Sequence, residues 1–234
     1  MSIKENIDSI MKKIDTACKK TGRNPKDITL LAVSKTVESD RAKEAVEAGI
    51  KNLGENKVQE LIKKYEELKD IDVKWHMIGH LQKNKVKYII DKNILIHSVE
   101  SLSLAEEINK RARNSNLTAD VLIELNIGEE ESKFGINEDN VYDFIRSMEQ
   151  FENIRVLGLM TVAPFCENPE DVRWVFKTMK NIYSKISIMN LRNTEMKYLS
   201  MGMTNDFEIA IEEGSNIIRI GTAIFGARKY KEDE

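Results

Sequence analysis

Lys35 closes a short apolar run, Ile28–Ser34 (ITLLAVS), and shares one side of it with Leu31 and Val33, because side chains alternate along an extended segment. An amine at the end of such a row is partly withdrawn from water, which lowers its pKa and suits it to Schiff-base chemistry with a carbonyl compound. A lysine at a strand end can equally reach into solvent, and position alone leaves both readings open. Arg219 interrupts a second apolar run, Asn216–Gly221 (NIIRIG). A guanidinium keeps its charge and only donates, so in such a segment it needs an acceptor. A carboxylate such as Glu124, itself inside an apolar stretch, would supply one, and so would a bound ligand. Two further stretches, Ser200–Thr204 (SMGMT) and Gly221–Gly226 (GTAIFG), combine glycine with hydroxyls. Glycine lets backbone N–H groups approach a phosphate and Ser or Thr adds donors; the same residues also make ordinary turns and helix caps. Ala227-Arg228 follows Gly226 where a nucleotide-binding P-loop has Lys-Ser/Thr, so that reading fails.

The elements that must position these residues follow from periodicity. Ile3, Ile7, Ile10, Ile14 and Ala17 form one helical stripe, ended by Gly22, Asn24 and Pro25, which predicts a leading helix over residues 1–20. After the first strand, extended segments are expected at 50–54, 73–79, 94–99, 119–127, 154–161, 196–201 and 216–221. Helices are expected at 39–48, 57–68, 83–90, 101–113, 138–150, 169–188 and 205–213. Strict alternation of strand and helix means a parallel sheet with right-handed crossovers. About eight such units predict an α/β chain forming a single (β/α)8 TIM-type barrel with an extra N-terminal helix. The rival, an open dinucleotide-binding sheet, wants a glycine fingerprint after the first strand, where this chain has Ser34-Lys35-Thr36. One domain over residues 1–234 is expected, with 229–234 (KYKEDE) a solvated tail. In such a barrel the C-terminal strand ends hold the active site, which is where Lys35 falls, and phosphate sits after strands seven and eight.

Composition removes several functions. Lys and Arg number 36 against 39 Asp and Glu, so the net charge of −3 provides no field for a polyanion, and nucleic acid is not an expected partner. No apolar run is long enough to span a membrane, and the N-terminus lacks a signal-type apolar core. Cys18 and Cys166 read as reduced thiols of a cytoplasmic protein. His76 and His80 are four apart, but Gly79 and an extended pattern intervene, so no metal site is expected. His97 reads as core or barrel mouth, and Lys83, Lys85 and Lys87 as a solvated face.

Lys35, two phosphate-type loops and Arg219 together describe a pyridoxal-phosphate barrel, and at these residues the sequence resembles the YggS-like pyridoxal phosphate homeostasis proteins. The matching pieces are Leu31–Thr36, Gly54-Glu55-Asn56 with Val58-Gln59-Glu60, Trp75-His76, Ile78–Lys83, Glu130–Lys133, Gly158–Thr161, Ser200–Met203 and Arg219-Ile220-Gly221 running to Phe225-Gly226. They span nearly the whole chain in order. The resemblance implies a fold like the barrel domain of alanine racemase, standing without that enzyme's second domain. It implies that Lys35 holds pyridoxal 5'-phosphate as an internal aldimine and that Arg219 faces the pyridine nitrogen. Ser200, Gly202, Gly221 and Thr222 fall where the phosphate is held, and Asn56 and His76 match positions lining the cofactor pocket. Lys57 replaces an expected tyrosine and Thr204 an expected serine; any role of that aromatic ring does not carry over.

The family is known for vitamin B6 and amino-acid homeostasis without an established catalytic activity, so no catalytic residue is assigned. An arginine at the pyridine nitrogen leaves it unprotonated and the ring a poorer electron sink. The expected function is therefore to store, buffer or deliver the cofactor, with pyridoxal-phosphate-dependent client enzymes as partners and the chain acting as a monomer. Two rivals stand beside it: an amino-acid racemase using water or a pocket residue as second base, and a cofactor-free Schiff-base aldolase. Visible absorbance separates the aldolase from the others, and amino-acid turnover separates the racemase from the carrier.

Overall fold

The computed structural model describes residues 2–128 and 134–226. Eight parallel strands, β1 (Thr29–Val33), β2 (Asn52–Glu55), β3 (Lys74–Met77), β4 (Leu95–Val99), β5 (Ala119–Leu125), β6 (Ile154–Thr161), β7 (Thr194–Ser200) and β8 (Ile217–Ile220), close into a barrel in sequence order. Closure is made by β1 against β8, where Leu31 pairs with Arg219 and, on its other side, with Asn52. Helices α1 (Ile3–Thr21), α2 (Ser39–Glu47), α3 (Val58–Glu67), α4 (Leu102–Asn114), α5 (Val141–Ser147), α6 (Arg173–Ser187), α7 (Phe207–Glu212) and α8 (Thr222–Phe225) surround or cap it. The barrel and the leading helix are thus as the periodicity predicts. The tail 229–234 and the Glu130–Lys133 motif lie outside the described residues.

Local chemistry explains the leading helix. Ser2 and Glu5 exchange hydrogen bonds as a capping box, and Gly22, at φ 67°, ends the helix by donating to the Cys18 and Lys19 carbonyls. The buried face is the predicted stripe Ile3, Ile7, Ile10, Ile14 and Ala17, extended by Cys18. It packs on α7 and α8 and reaches α2. One predicted helix differs in kind: Lys83–Tyr88 is a 3-10 turn with only Val86 buried. Three alternating lysines there leave too narrow an apolar stripe to seat an α-helix. Lys83 shares a surface depression with Glu106, Glu107 and Lys110, so its surroundings are mixed in charge.

Alternation divides each strand between two environments. Leu30, Ala32, Leu53, Trp75, Met77, Ile96, Val121, Ile123, Ile218 and Ile220 join the main core between strands and helices. Their neighbours face inward. On β5 and β6 the inward set is mostly apolar, with Leu122, Leu157 and Met160 forming a separate cluster and Glu124 beside Leu122. Leu31 and Val33 add apolar side chains from β1. The remaining strands contribute Asn52, His76, His97, Ser200 and Arg219, polar where barrel interiors usually hold branched aliphatics. Gly158 is required between these regions. Its φ is 146°, and a Cβ there would lie 1.8 Å from the Tyr198 carbonyl oxygen. Among the described residues no helix is long and apolar enough to cross a membrane.

Candidate functional site

A cavity of about 1040 Å³ opens at the C-terminal ends of the strands. Val33, Lys35, Thr36, Asn56, Arg219, Gly221 and Thr222 line it, together with Met203, Thr204 and Asn205 from the loop after β7. Five of the residues singled out above, Lys35, Asn56, Arg219, Gly221 and Thr222, therefore meet in one cavity. Val33 and Lys35 lie on it together, as the inward row requires. Ser200, Gly202 and His76 are placed behind the wall. The Ser200 hydroxyl is fully buried and bonded to Arg219 and His97. Gly202, at φ 94°, lets α7 approach: a Cβ would lie 2.5 Å from Ala210 Cβ. His76 sits inside the barrel against His97 and Asn52.

Lys35 stands on a turn held from three sides. The preceding Ser34 hydroxyl donates to Glu55 Oε1 at 2.6 Å, and Lys64 Nζ donates both to that oxygen and to the Ser34 carbonyl, each at 2.6 Å. Glu55 is fully buried and Lys64 is 3% exposed. Burial raises the Glu55 pKa, opposed by the Lys64 charge and by hydrogen bonds from Lys64 and Ser34. Next, Thr36 is left-handed at φ 62°, an unfavourable setting for a β-branched residue, and its N–H donates to Glu60 Oε2 at 2.8 Å. The Gly54–Asn56 and Val58–Glu60 motifs thus act largely as a bracket for the Lys35 turn. Gly79 completes the packing: a Cβ there would lie 2.4 Å from the Asn56 carbonyl oxygen. Lys57, at the departure from the expected tyrosine, occupies the N-cap position of α3 without a side-chain cap bond, its exposed ammonium 4.0 Å from Glu60.

Arg219 is 4% exposed. Nη1 donates to Ser200 Oγ at 2.9 Å and Nη2 to the Thr161 carbonyl at 2.8 Å. No carboxylate among the described residues lies within ion-pair distance, so the Glu124 contact considered above is not made. Burial lowers its pKa to about 10, with the Asp206 and Glu124 charges pulling the other way. Glu124 is itself raised to about 7, by burial and by Glu100, against the pull of Arg219. A buried cation with no carboxylate in ion-pair contact among the described residues, on a cavity wall, is a donor prepared for an acceptor that enters the cavity.

Two residues on from Arg219, Gly221 and Thr222 begin the single turn of α8. Its last carbonyls are held from outside: Asn6 of α1 donates to Ile224 O at 2.9 Å and Arg41 of α2 to Phe225 O at 2.8 Å. Arg41 also lines the cavity. His80, the other half of the His76/His80 spacing, turns away to Glu100 and stacks on Phe134.

Sequence reasoning gave no role to Glu55, Glu60, Lys64, Asn52 or Arg41, whereas His97, read as core or barrel mouth, is fully buried inside the barrel. For Lys64 a signal existed: it falls on the buried stripe Val58, Leu61, Lys64, Leu68 of α3, where an amine needs a partner. For His97, alternation with Leu95 on β4 put it inside the barrel.

The cavity brings together a lysine, a buried guanidinium and the Gly221–Thr222 turn. Residues 3–229 match the family model described as alanine racemase, N-terminal domain. A pyridoxal phosphate homeostasis protein of Aquifex aeolicus is 46% identical over 98% of this chain and 100% of its own length. The structure of PipY from Synechococcus elongatus with PLP bound superposes with a TM-score of 0.83 at 28% identity, covering 96% of this chain and 100% of that one. Alanine racemase of Clostridium difficile shares the fold, with a TM-score of 0.71 at 17% identity over 99% of this chain and 57% of that one. The chain belongs to the alanine racemase N-terminal domain family and, within it, to the pyridoxal phosphate homeostasis proteins.

Proposed function

We propose that this protein binds pyridoxal 5'-phosphate covalently on the Lys35 amine and serves vitamin B6 and amino-acid homeostasis, holding and releasing the cofactor rather than turning over a substrate. The observation that carries this reading is the buried Arg219 guanidinium, with no carboxylate in ion-pair contact among the described residues, on the same cavity as Lys35 and the Gly221–Thr222 turn. Bound there, the cofactor supplies an aldehyde that condenses with amines and a ring that can accept electrons. Arg219 gives the ring nitrogen a hydrogen bond and keeps a proton off it, since a guanidinium offers no lone pair. Gly221 and Thr222 hold the phosphate from the α8 end, with Gly202 shaping the neighbouring loop and Asn56 on the cavity wall. Ser200 and His76 act from behind, through Arg219. The chain works in the cytoplasm as a monomer and passes the cofactor to pyridoxal-phosphate-dependent client enzymes.

Borohydride reduction of the purified, yellow protein should leave the cofactor on the Lys35 peptide in mass mapping. An adduct on another lysine, with Lys35 unmodified, would overturn the assignment, and rapid amino-acid racemisation by the same sample would overturn the carrier function. Thr222→Val should weaken pyridoxal phosphate about tenfold, the scale of one hydrogen bond to a charged group, and leave unphosphorylated pyridoxal unchanged. Titrations that weaken equally for both ligands would place the phosphate elsewhere.

A further inference from the structure

The polar half of the barrel interior is one continuous chain of hydrogen bonds. Arg219 Nη1 donates to Ser200 Oγ at 2.9 Å, and Ser200 Oγ lies 3.1 Å from His97 Nδ1. His97 Nε2 lies 2.9 Å from His76 Nδ1, and His76 Nε2 lies 3.1 Å from Asn52 Oδ1. The two rings meet edge to face, with centroids 5.1 Å apart. Ser200 and His97 are fully buried and His76 is 5% exposed.

The two ends of this chain fix every proton in it. Arg219 can only donate, and Asn52 Oδ1 can only accept. His76 therefore carries its proton on Nε2, and its bare Nδ1 accepts from His97 Nε2–H. The bare Nδ1 of His97 then accepts the Ser200 hydroxyl proton, and a Ser200 lone pair receives Arg219. Reversing the bond between the rings would take from the Ser200 hydroxyl proton its acceptor and leave His76 Nε2 bare against Asn52 Oδ1, two acceptors face to face. A second proton on His76 would fit the hydrogen bonds only if His97 moved its own proton to Nδ1, which takes from the Ser200 hydroxyl its acceptor. Burial opposes that charge, lowering His76 to about 3 and His97 well below its usual value, so both imidazoles stay neutral.

We propose that Ser200, His97, His76 and Asn52 form a one-way relay that positions and polarises Arg219, so that the donor offered to the cofactor's ring nitrogen is set from inside the barrel. This rests on the reading of Arg219 given above. Two anchors, Ser200 Oγ on Nη1 and the Thr161 carbonyl on Nη2, fix the guanidinium plane. Because the Ser200 hydroxyl gives its own proton away to His97, its oxygen becomes a stronger acceptor, and each further link adds to that polarisation. Packing alone would be served by aliphatic layers, as in other barrels. His97 and Ser200 are thus positioning residues, and the inward face of β4 has a role beyond the core.

Two measurements test this. Nitrogen-15 NMR of the cofactor-free protein should find both rings neutral and protonated on Nε2 throughout about pH 5–9, outside the usual histidine titration. An Nδ1–H tautomer, or titration near the ordinary value, would overturn the relay. In the loaded protein, Ser200→Ala and His97→Phe should each shift the visible absorbance band of bound pyridoxal phosphate and weaken it about tenfold, while Ser200→Thr, which keeps the hydroxyl, restores both. A role in packing alone predicts a lowered Tm with the band and affinity unmoved, and that result would also overturn it. Failure of the parent protein to take up pyridoxal phosphate would overturn the functional reading instead, a failure that the NMR of the cofactor-free protein keeps apart from failure of the relay.

Discussion

Lys64→Met is expected to cost about 3–5 kcal/mol of stability, the scale for breaking a buried ion pair by removing one partner. The variant leaves the Glu55 carboxylate fully buried with only the Ser34 hydroxyl on Oε1, while Oε2 has no hydrogen-bond partner to begin with. It also strips the Ser34 carbonyl of the Lys64 ammonium. Adding Glu55→Met should recover most of the loss, because two apolar side chains of similar volume pack in the layer between strands and helices without a desolvated charge. Urea unfolding of the parent, the single variant and the double variant checks this. A single variant within about 1 kcal/mol of the parent would mean that Glu55 finds water or another donor. Since the bracket carries the Lys35 turn, the double variant should fold yet bind cofactor less tightly, separating stability from positioning.

That bracket marks where the sequence stops being legible. Lys35 and Arg219 stand out because each breaks an apolar run, and a charged residue on an inward row demands a partner wherever the chain goes. Glu55 gives no such local signal. Lys64 lies on the apolar stripe of α3, but its need for a partner does not name Glu55; the seating of α3 on β2 brings the two together, while the adjacent Lys63 remains on the surface. The left-handed Thr36, whose N–H donates to Glu60, likewise belongs to the tertiary turn and runs against its own propensity. Ser200 shows the opposite failure. Its place after an extended segment and beside glycine reads as phosphate chemistry, yet the period of β7 turns it inward to Arg219.

The fold itself was legible because the two environments of each strand repeat with period two and each helix with its own stripe. The stripe of α1 is read from five residues and buried as read. Kind is harder than place: Lys83–Tyr88 sits where a helix is expected but forms a 3-10 turn, since crowded lysines tolerate one turn on Val86 and no more. The half-polar barrel interior follows from alternation once strand boundaries are known. Its wiring does not, because Asn52, His76, His97, Ser200 and Arg219 come from five strands and meet only on closure.

Glu124 faces that interior from β5, on the side of Leu122, and its raised pKa gives the second large effect. Glu124→Gln should leave the cofactor-free protein as stable as the parent in acid and more stable above about pH 7. In the fold Glu124 titrates at about 7 against an ordinary value of 4.5, with burial as the first cause and the Glu100 charge as the second. The folded state thus keeps a proton that the unfolded chain has already released. Stability from this group is fully present below 4.5, declines as pH rises through the interval, and is lost above 7. At about 1.4 kcal/mol per pH unit the penalty reaches up to ~3 kcal/mol, and glutamine, which cannot ionise, escapes it. The same titration bears on Arg219: a neutral Glu124 leaves the guanidinium to the ligand acceptor, whereas an ionised one competes for it. Urea midpoints of parent and variant across this range decide the matter; curves that run parallel from acid to alkaline pH would show that Glu124 ionises as freely in the fold as in water.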